Sequence, residues 1–305
     1  MNTPSLLKSN PLSKGKPLAP RRDVTKVYCQ TSAVLSITIV SVILLTLLSQ
    51  SLPVLMSGDN GLLGTRWNPE DGKFGIIAPL FGSIFVMLIA TVIAFPIGLL
   101  TAIYISETRS SKLRRFFKSI LELLAGIPSI VYGLIGVAYL NIWVADLFDL
   151  QSGRIILTAG ILLGIMILPT FLTLTEDALS AVPQRYRENA KSLGLYRHEV
   201  FKDIILPQAK VGIAGAGLLA LGRALGETMA VMLVIGSLDR LPSPLFNPLS
   251  SGQTITSKLG REIGESAFGS VHFSALVFMS FILVSITIAL TILSHYFLTR
   301  KPADD

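Results

Sequence analysis

The chain has 305 residues, 51% of them hydrophobic and only 15% charged, with a net charge of +7. Several apolar runs approach or exceed the roughly 20 residues needed to cross a bilayer core, so the body of the protein is membrane-embedded and the positive charge needs no nucleic-acid partner. A single cysteine, Cys29, excludes an internal disulfide and any cysteine-based metal cage.

Residues 1–25 are rich in Pro, Ser and Lys and are expected to be a disordered tail. From residue 26 to 305 the sequence predicts one transmembrane domain, with six spans at about 32–55, 76–106, 116–145, 155–175, 211–238 and 271–298. The first is too long, and its basic leader too extended, for a cleaved signal peptide, so it reads as a retained signal anchor with Cys29 as an inert packing residue. The following loop, GDNGLLGTRWNPEDGKFG, has room for a short structured piece around Trp67, whose ring suits the membrane interface. Pro96 and Pro169 are expected to kink spans two and four. In the third span Pro128 frees backbone groups just before Ser129 and Tyr132, which makes those two candidates for lining a path. Between spans five and six, Pro242, Pro244 and Pro248 interrupt the chain. Thr254 to Ala267 then shows the spacing of a short helix lying on, or partly re-entering, that face. His198, His272 and His295 share no ligand spacing, and no metal is assigned.

The Lys and Arg residues set the expected orientation. Six lie in the N-terminal tail, five after span two, six in the long loop after span four and two at the C-terminus, nineteen of the 26 on one side. Both termini and the long loop are therefore expected in the cytoplasm. That loop has an order that connecting segments seldom show. Pro183 suits the first turn of a helix, PQRYRENAKSL makes about three turns, and Gly194 is the expected left-handed stop. Tyr196 to Ile204 forms a second short helix, and Pro207 biases Leu206 toward an extended conformation that separates this helix from span five. Tyr186, Leu193, Tyr196 and Phe201 are candidate apolar anchors. On these residues alone, docking on a protein partner and lying on lipid headgroups both remain open.

Glu188, Ala190, Gly194, Ile204, Leu206 and Pro207 reproduce the spacing of the EAA loop of ABC importer permeases, with Asn189 where that pattern usually has Ala. Over about residues 70–298, through WNPEDGKFGI, GIPSIVYGLIG and GRALGETMAVMLVIG, the chain resembles the phosphate importer permeases of the Pst system. Met229-Ala230-Val231 after the GET tripeptide is similar to the PstC branch rather than the PstA branch. The resemblance implies an all-α, six-helix, MetI-like permease fold in the cell inner membrane, with the loop docked in a groove of a separate ATPase. It further implies a PstA-like permease partner, a PstB-like ATPase dimer and an extracytoplasmic PstS-like phosphate-binding protein. No GxxxxGK[ST] motif occurs, so ATP is expected to be bound by the partner, and this chain is expected to be neither an enzyme nor the holder of a cofactor.

Arg223 and Glu227 stand four residues apart in the fifth span, on one face if the helix is unbroken, with Gly222 and Gly226 offering close approach to another helix. Charges at membrane depth cost about 2.5–3.5 kcal/mol each, and they pair inside a bundle or line a water-filled path. A salt bridge fixing the register of two subunits is one reading. The other is an anion site, in which the guanidinium fork meets phosphate oxygens and Glu227 keeps Arg223 charged and placed. The resemblance favours the second, and implies a permease subunit for inorganic phosphate. Another oxyanion or solute, or a stand-alone channel or secondary transporter, are the alternatives.

Overall fold

The computed structural model describes residues 24–56, 61–108 and 111–299. The expected disordered tail lies outside the described residues, except that Val24 and Thr25 already belong to helix α1 (Val24–Met56). Arg300 and Lys301 also lie outside them. The chain divides into two compact units, Met1–Thr46 and Leu47–Asp305. The described part of the first is one long apolar helix whose side chains are exposed, and a helix satisfies its own backbone, as lipid requires. Cys29 is correspondingly an exposed free thiol rather than the packed residue expected, since no other described element of its unit covers it.

The second unit opens with the last turns of α1, where Val54 is buried. Strands β1 (Trp67–Asn68) and β2 (Lys73–Phe74) then pair antiparallel, with Trp67 opposite Phe74. Helices α2 (Ile77–Glu107) and α3 (Ser111–Gly126) follow. Next, α4 (Ser129–Ile135) runs through a wide π turn at Gly136–Leu140 into α5 (Asn141–Leu147). After α6 (Ile156–Ser180) and α7 (Gln184–Ser192), the short α8 (Arg197–Glu199) passes through a second π turn, Val200–Ile205, into α9 (Leu206–Gly226). The chain ends in α10 (Met229–Val234), α11 (Ile255–Glu262) and α12 (Val271–Thr299).

Among the described residues six helical stretches are long and apolar enough to cross a membrane: Lys26–Met56, Ile77–Glu107, Ser129–Leu147, Ile156–Ser180, Arg197–Gly226 and Val271–Tyr296. The fold class expected from the sequence holds, and the protein is a multi-pass membrane protein. The centre of the second unit is α6, whose Ile156, Ala159, Leu162, Leu163, Met166 and Ile167 pack on Val86, Ala90 and Ala94 of α2 and on Ala230, Val231 and Val234 of α10. Both α2 and α6 continue through Pro96 and Pro169 as single helices.

Two expected spans have different bounds. The third starts at Ser129, not near 116, because the chain breaks at Ile127–Pro128 and the preceding α3 is a separate amphipathic helix. One of its faces packs Phe117 and Leu121 into the core, while Arg114 and Lys118 pair with the buried Glu176 carboxylate of α6. A helix this basic is too costly to thread through hydrocarbon. The fifth span starts earlier and stops earlier than expected. Leu206 is helical (φ −62, ψ −44), so Pro207 does not separate the loop from the span. The π turn before it widens the helix, so the turn that lacks a proline N–H can continue.

At the end of the unit opposite the 181–205 loop, four distant segments meet. The Lys258 ammonium, fully buried, lies 2.6 Å from Asp239 Oδ2, 2.6 Å from Glu262 Oε1 and 4.5 Å from the centroid of the Trp67 ring. Glu262 Oε2 accepts a hydrogen bond from Trp67 Nε1 at 3.0 Å and lies 3.1 Å from His272 Nε2. Burial alone would raise the Glu262 carboxyl, but Lys258 and His272 outweigh it and hold the group below the usual carboxylate range. Trp67 is thus a buried hub, 9% exposed, rather than the interfacial ring expected: its N–H has a partner inside the protein. The short helix expected at Thr254–Ala267 is present as α11, but ends at Glu262 and buries only its first turn, Ile255 to Lys258. The segment leading into it presses on α2 at Gly82, where any Cβ would overlap the Gln253 carbonyl oxygen.

Candidate functional site

Two charged residues, Arg223 and Glu227, lie where α9 ends. The small residues Ala216, Gly217, Ala220 and Ala224 of α9 are buried, while Arg223 is exposed. Arg223 Nη1 donates to Thr170 Oγ1 of α6 at 2.8 Å. One charge-assisted hydrogen bond contributes about 1.5–3 kcal/mol, comparable to the cost of the charge at depth. It occupies one of five guanidinium N–H donors, so the fork still faces outward with donors to offer.

The expected Arg223–Glu227 pair is not formed. Among the described residues no ion pair joins the two, because α9 stops at Gly226 and Glu227 is extended (φ −71, ψ 123). A four-residue spacing brings side chains together only on a continuous helix. The Glu227 carboxylate instead accepts the Ala230 N–H at 3.3 Å, at the start of α10. The Glu227 carbonyl accepts Thr256 Oγ1 of α11 at 2.7 Å. Thr170, not Glu227, places the arginine. A hydroxyl directly after Pro169 in an apolar span was the available signal for it. Among the described residues a Cβ at Gly226 would meet nothing within 4 Å, and one at Gly222 only Thr287 Cγ2 of α12 at 4.0 Å, so neither glycine is a point of close helix approach.

Tyr132 is buried in the cluster that holds Ala224 and Ala230, with the Arg223 guanidinium as its charged neighbour. Its hydroxyl donates to the Leu124 carbonyl at 2.9 Å, bridging the break between α3 and α4. Ser129, half-buried, is the first residue of α4 beyond that break.

The loop at the other end folds as a helical hairpin fastened from behind. Arg187 pairs with Glu107 at the end of α2, and Arg197 Nη2 donates to the Glu107 carbonyl at 3.0 Å. Ala190 is buried, and Tyr186, Phe201 and Ile204 pack into the same cluster with Ala102, Ile105 and Leu179. Gly194 turns the chain with φ +82, the left-handed conformation its position predicts. Of the expected apolar anchors, two therefore point inward, while Leu193 and Tyr196 remain 81% and 70% exposed on either side of Gly194. Glu188, Asn189 and Pro207 are also exposed, and Leu206 is half-buried. The hairpin presents a small apolar front, Leu193 and Tyr196, among exposed charges that are mostly basic: Arg185, Lys191, Arg197 and Lys202 beside Glu188 and Asp203.

Residues 94–301 match the family model described as binding-protein-dependent transport system inner membrane component. A phosphate transport system permease protein PstC from Mesorhizobium japonicum is 35% identical over 294 residues, covering 90% of this chain and 89% of that protein. A PstC protein from Haemophilus influenzae is 35% identical over 262 residues, covering 80% and 82%. Among solved structures, an inward-facing MetNI methionine ABC transporter chain superimposes with a TM-score of 0.58 at 16% identity, over 77% of this chain and all of that one. That structural likeness supports the fold, and the family match with the two relatives settles membership: the chain belongs to the binding-protein-dependent transport system inner membrane components.

Proposed function

We propose that this chain is the membrane-spanning subunit of an ATP-driven importer for inorganic phosphate. It forms half of the translocation path and relies on a separate ATPase. The observation that carries the reading is Arg223, a guanidinium at membrane depth, held by Thr170 and exposed near the end of α9. Its planar fork matches phosphate oxygens, and one such group suits a transit site better than a storage site. The similarity to PstC proteins supports phosphate as the anion.

In this reading the loop face is cytoplasmic, as are both termini, because the basic loops lie on that side. The exposed front of the 181–207 hairpin docks on a PstB-like ATPase dimer. A PstA-like permease completes the path beside Arg223, and a PstS-like binding protein delivers phosphate to the opposite, outer face. Hydrolysis on the ATPase moves the hairpin, and through the unbroken helix Arg197–Gly226 that motion reaches Arg223 directly.

Uptake of radiolabelled phosphate into cells depending on this permease should persist in excess sulfate or molybdate and vanish when the ATPase is deleted. Competition by sulfate would reassign the anion, and uptake without the ATPase would replace the importer by a channel or secondary transporter. Thr170→Val should lower maximal phosphate uptake by about tenfold or more with assembly intact, the effect of losing a charged hydrogen bond that contributes about 1.5 kcal/mol or more in positioning. Unchanged uptake kinetics in that variant would show that Thr170 does not place the guanidinium.

A further inference from the structure

The cluster around Lys258 lies in a part of the chain that neither the substrate path nor the docking hairpin uses. It would be expected to do no more than stiffen the outer face, were it not for the other end of the same helix. α11 has eight residues, about 12 Å of helix. At its N-terminal end Thr256 Oγ1 donates to the Glu227 carbonyl at 2.7 Å, within the break between α9 and α10. Thr254 Oγ1 lies 3.1 Å from Thr256 Oγ1, and the Ile255 N–H donates to Ser83 Oγ of α2 at 2.9 Å. In the same first turn Lys258 binds Asp239 and lies over the Trp67 ring, and one turn on, at the C-terminal end, Glu262 binds Lys258, Trp67 and His272; these partners come from the loop after α10, the β hairpin and the start of α12.

Glu227 stands outside any helix, so its backbone dihedrals can change without breaking a ladder of hydrogen bonds. Its N–H donates to the Ala224 carbonyl at 3.3 Å, its carboxylate accepts the Ala230 N–H, and its carbonyl accepts Thr256 Oγ1. Movement of the outer hairpin or of the loop after α10 would pass through Lys258 and Glu262 to Thr256 on the same short helix, and so to Glu227, four residues beyond Arg223. We propose that α11 is the positioning element of the outer half of the path: Lys258 anchors it to the surface segments, and Thr256 is the positioning residue that sets the Glu227 break beside Arg223. This rests on the reading of Arg223 and Glu227 as part of the phosphate path.

The test uses the complete importer, with its ATPase and binding protein, reconstituted in proteoliposomes, and measures phosphate uptake per assembled complex. Thr256→Val should lower maximal uptake about tenfold, and Thr256→Ser, which keeps the hydroxyl, should restore it to within about twofold. In an Arg223→Lys background, where the guanidinium to be placed is gone, Thr256→Val should cost no more than about a further twofold, because the threonine acts through the segment beside Arg223. A Thr256→Val complex that melts earlier but transports normally per assembled complex would overturn the proposal, as would additive losses in the double variant. Failure of the path reading itself would be distinct: Arg223→Ala and Glu227→Gln complexes would both transport normally, whatever the behaviour of Thr256.

Discussion

Arg223→Ala is expected to abolish phosphate uptake, by at least about a hundredfold, while the permease still co-purifies with its ATPase. A bidentate guanidinium contributes two charge-assisted hydrogen bonds, together about 3 kcal/mol or more, which corresponds to roughly two orders of magnitude in rate. The side chain is exposed and donates to Thr170, so its removal leaves the buried Ala216, Gly217, Ala220 and Ala224 of α9 in place. Arg223→Lys keeps the charge but not the fork, and should recover no more than about a tenth of normal uptake. Uptake and co-purification are read on the same preparations. Normal uptake by assembled Arg223→Ala would remove the anion site. Loss of uptake together with loss of assembly would make Arg223 a contact that fixes subunit register.

The Arg223 prediction shows where sequence reasoning was sound and where it assumed too much. Both charges are visible in the sequence as expensive groups in an apolar run. Their pairing was inferred from an unbroken helix, and Gly226-Glu227-Thr228 breaks it. A glycine beside a charged and a β-branched residue was a signal for that break, overridden by the long apolar stretch on both sides. The third span was drawn too long for the same reason: α3 alternates Phe117 and Leu121 with Arg114 and Lys118, and simple hydropathy merges its apolar stripe with the true span beyond Pro128.

The Lys258 cluster was illegible for a different reason. Its members, Trp67, Asp239, Lys258, Glu262 and His272, come from segments up to about two hundred positions apart, and each alone has an ordinary loop role. Only Lys258 and Glu262 carry a local signal, their four-residue spacing on α11, and that spacing says nothing of burial. Long-range ionic clusters are assembled by tertiary contact, whereas the existence of six apolar spans and the left-handed turn at Gly194 are set locally and are legible in the sequence.

The front of the 181–207 hairpin should carry the second large effect. Leu193→Asp combined with Tyr196→Ala is expected to lower retention of the ATPase on the purified permease by at least about a hundredfold, and uptake with it. At 81% and 70% exposure neither side chain supports the fold of this chain. Burying each against a partner contributes about 1.5–3 kcal/mol, so losing both removes enough binding energy for that change. The hairpin itself should survive, because Tyr186, Ala190 and Phe201 pack behind it and Arg187 ties it to Glu107. Glu188→Lys, a charge reversal on the same front, should weaken retention less, since an exposed ion pair contributes about 0–1 kcal/mol. Full ATPase retention and normal uptake in the double variant would return the hairpin to the lipid surface. Retention without uptake would place Leu193 and Tyr196 in the transmission of motion rather than in docking, because a lever that stays attached but no longer moves α9 leaves Arg223 fixed.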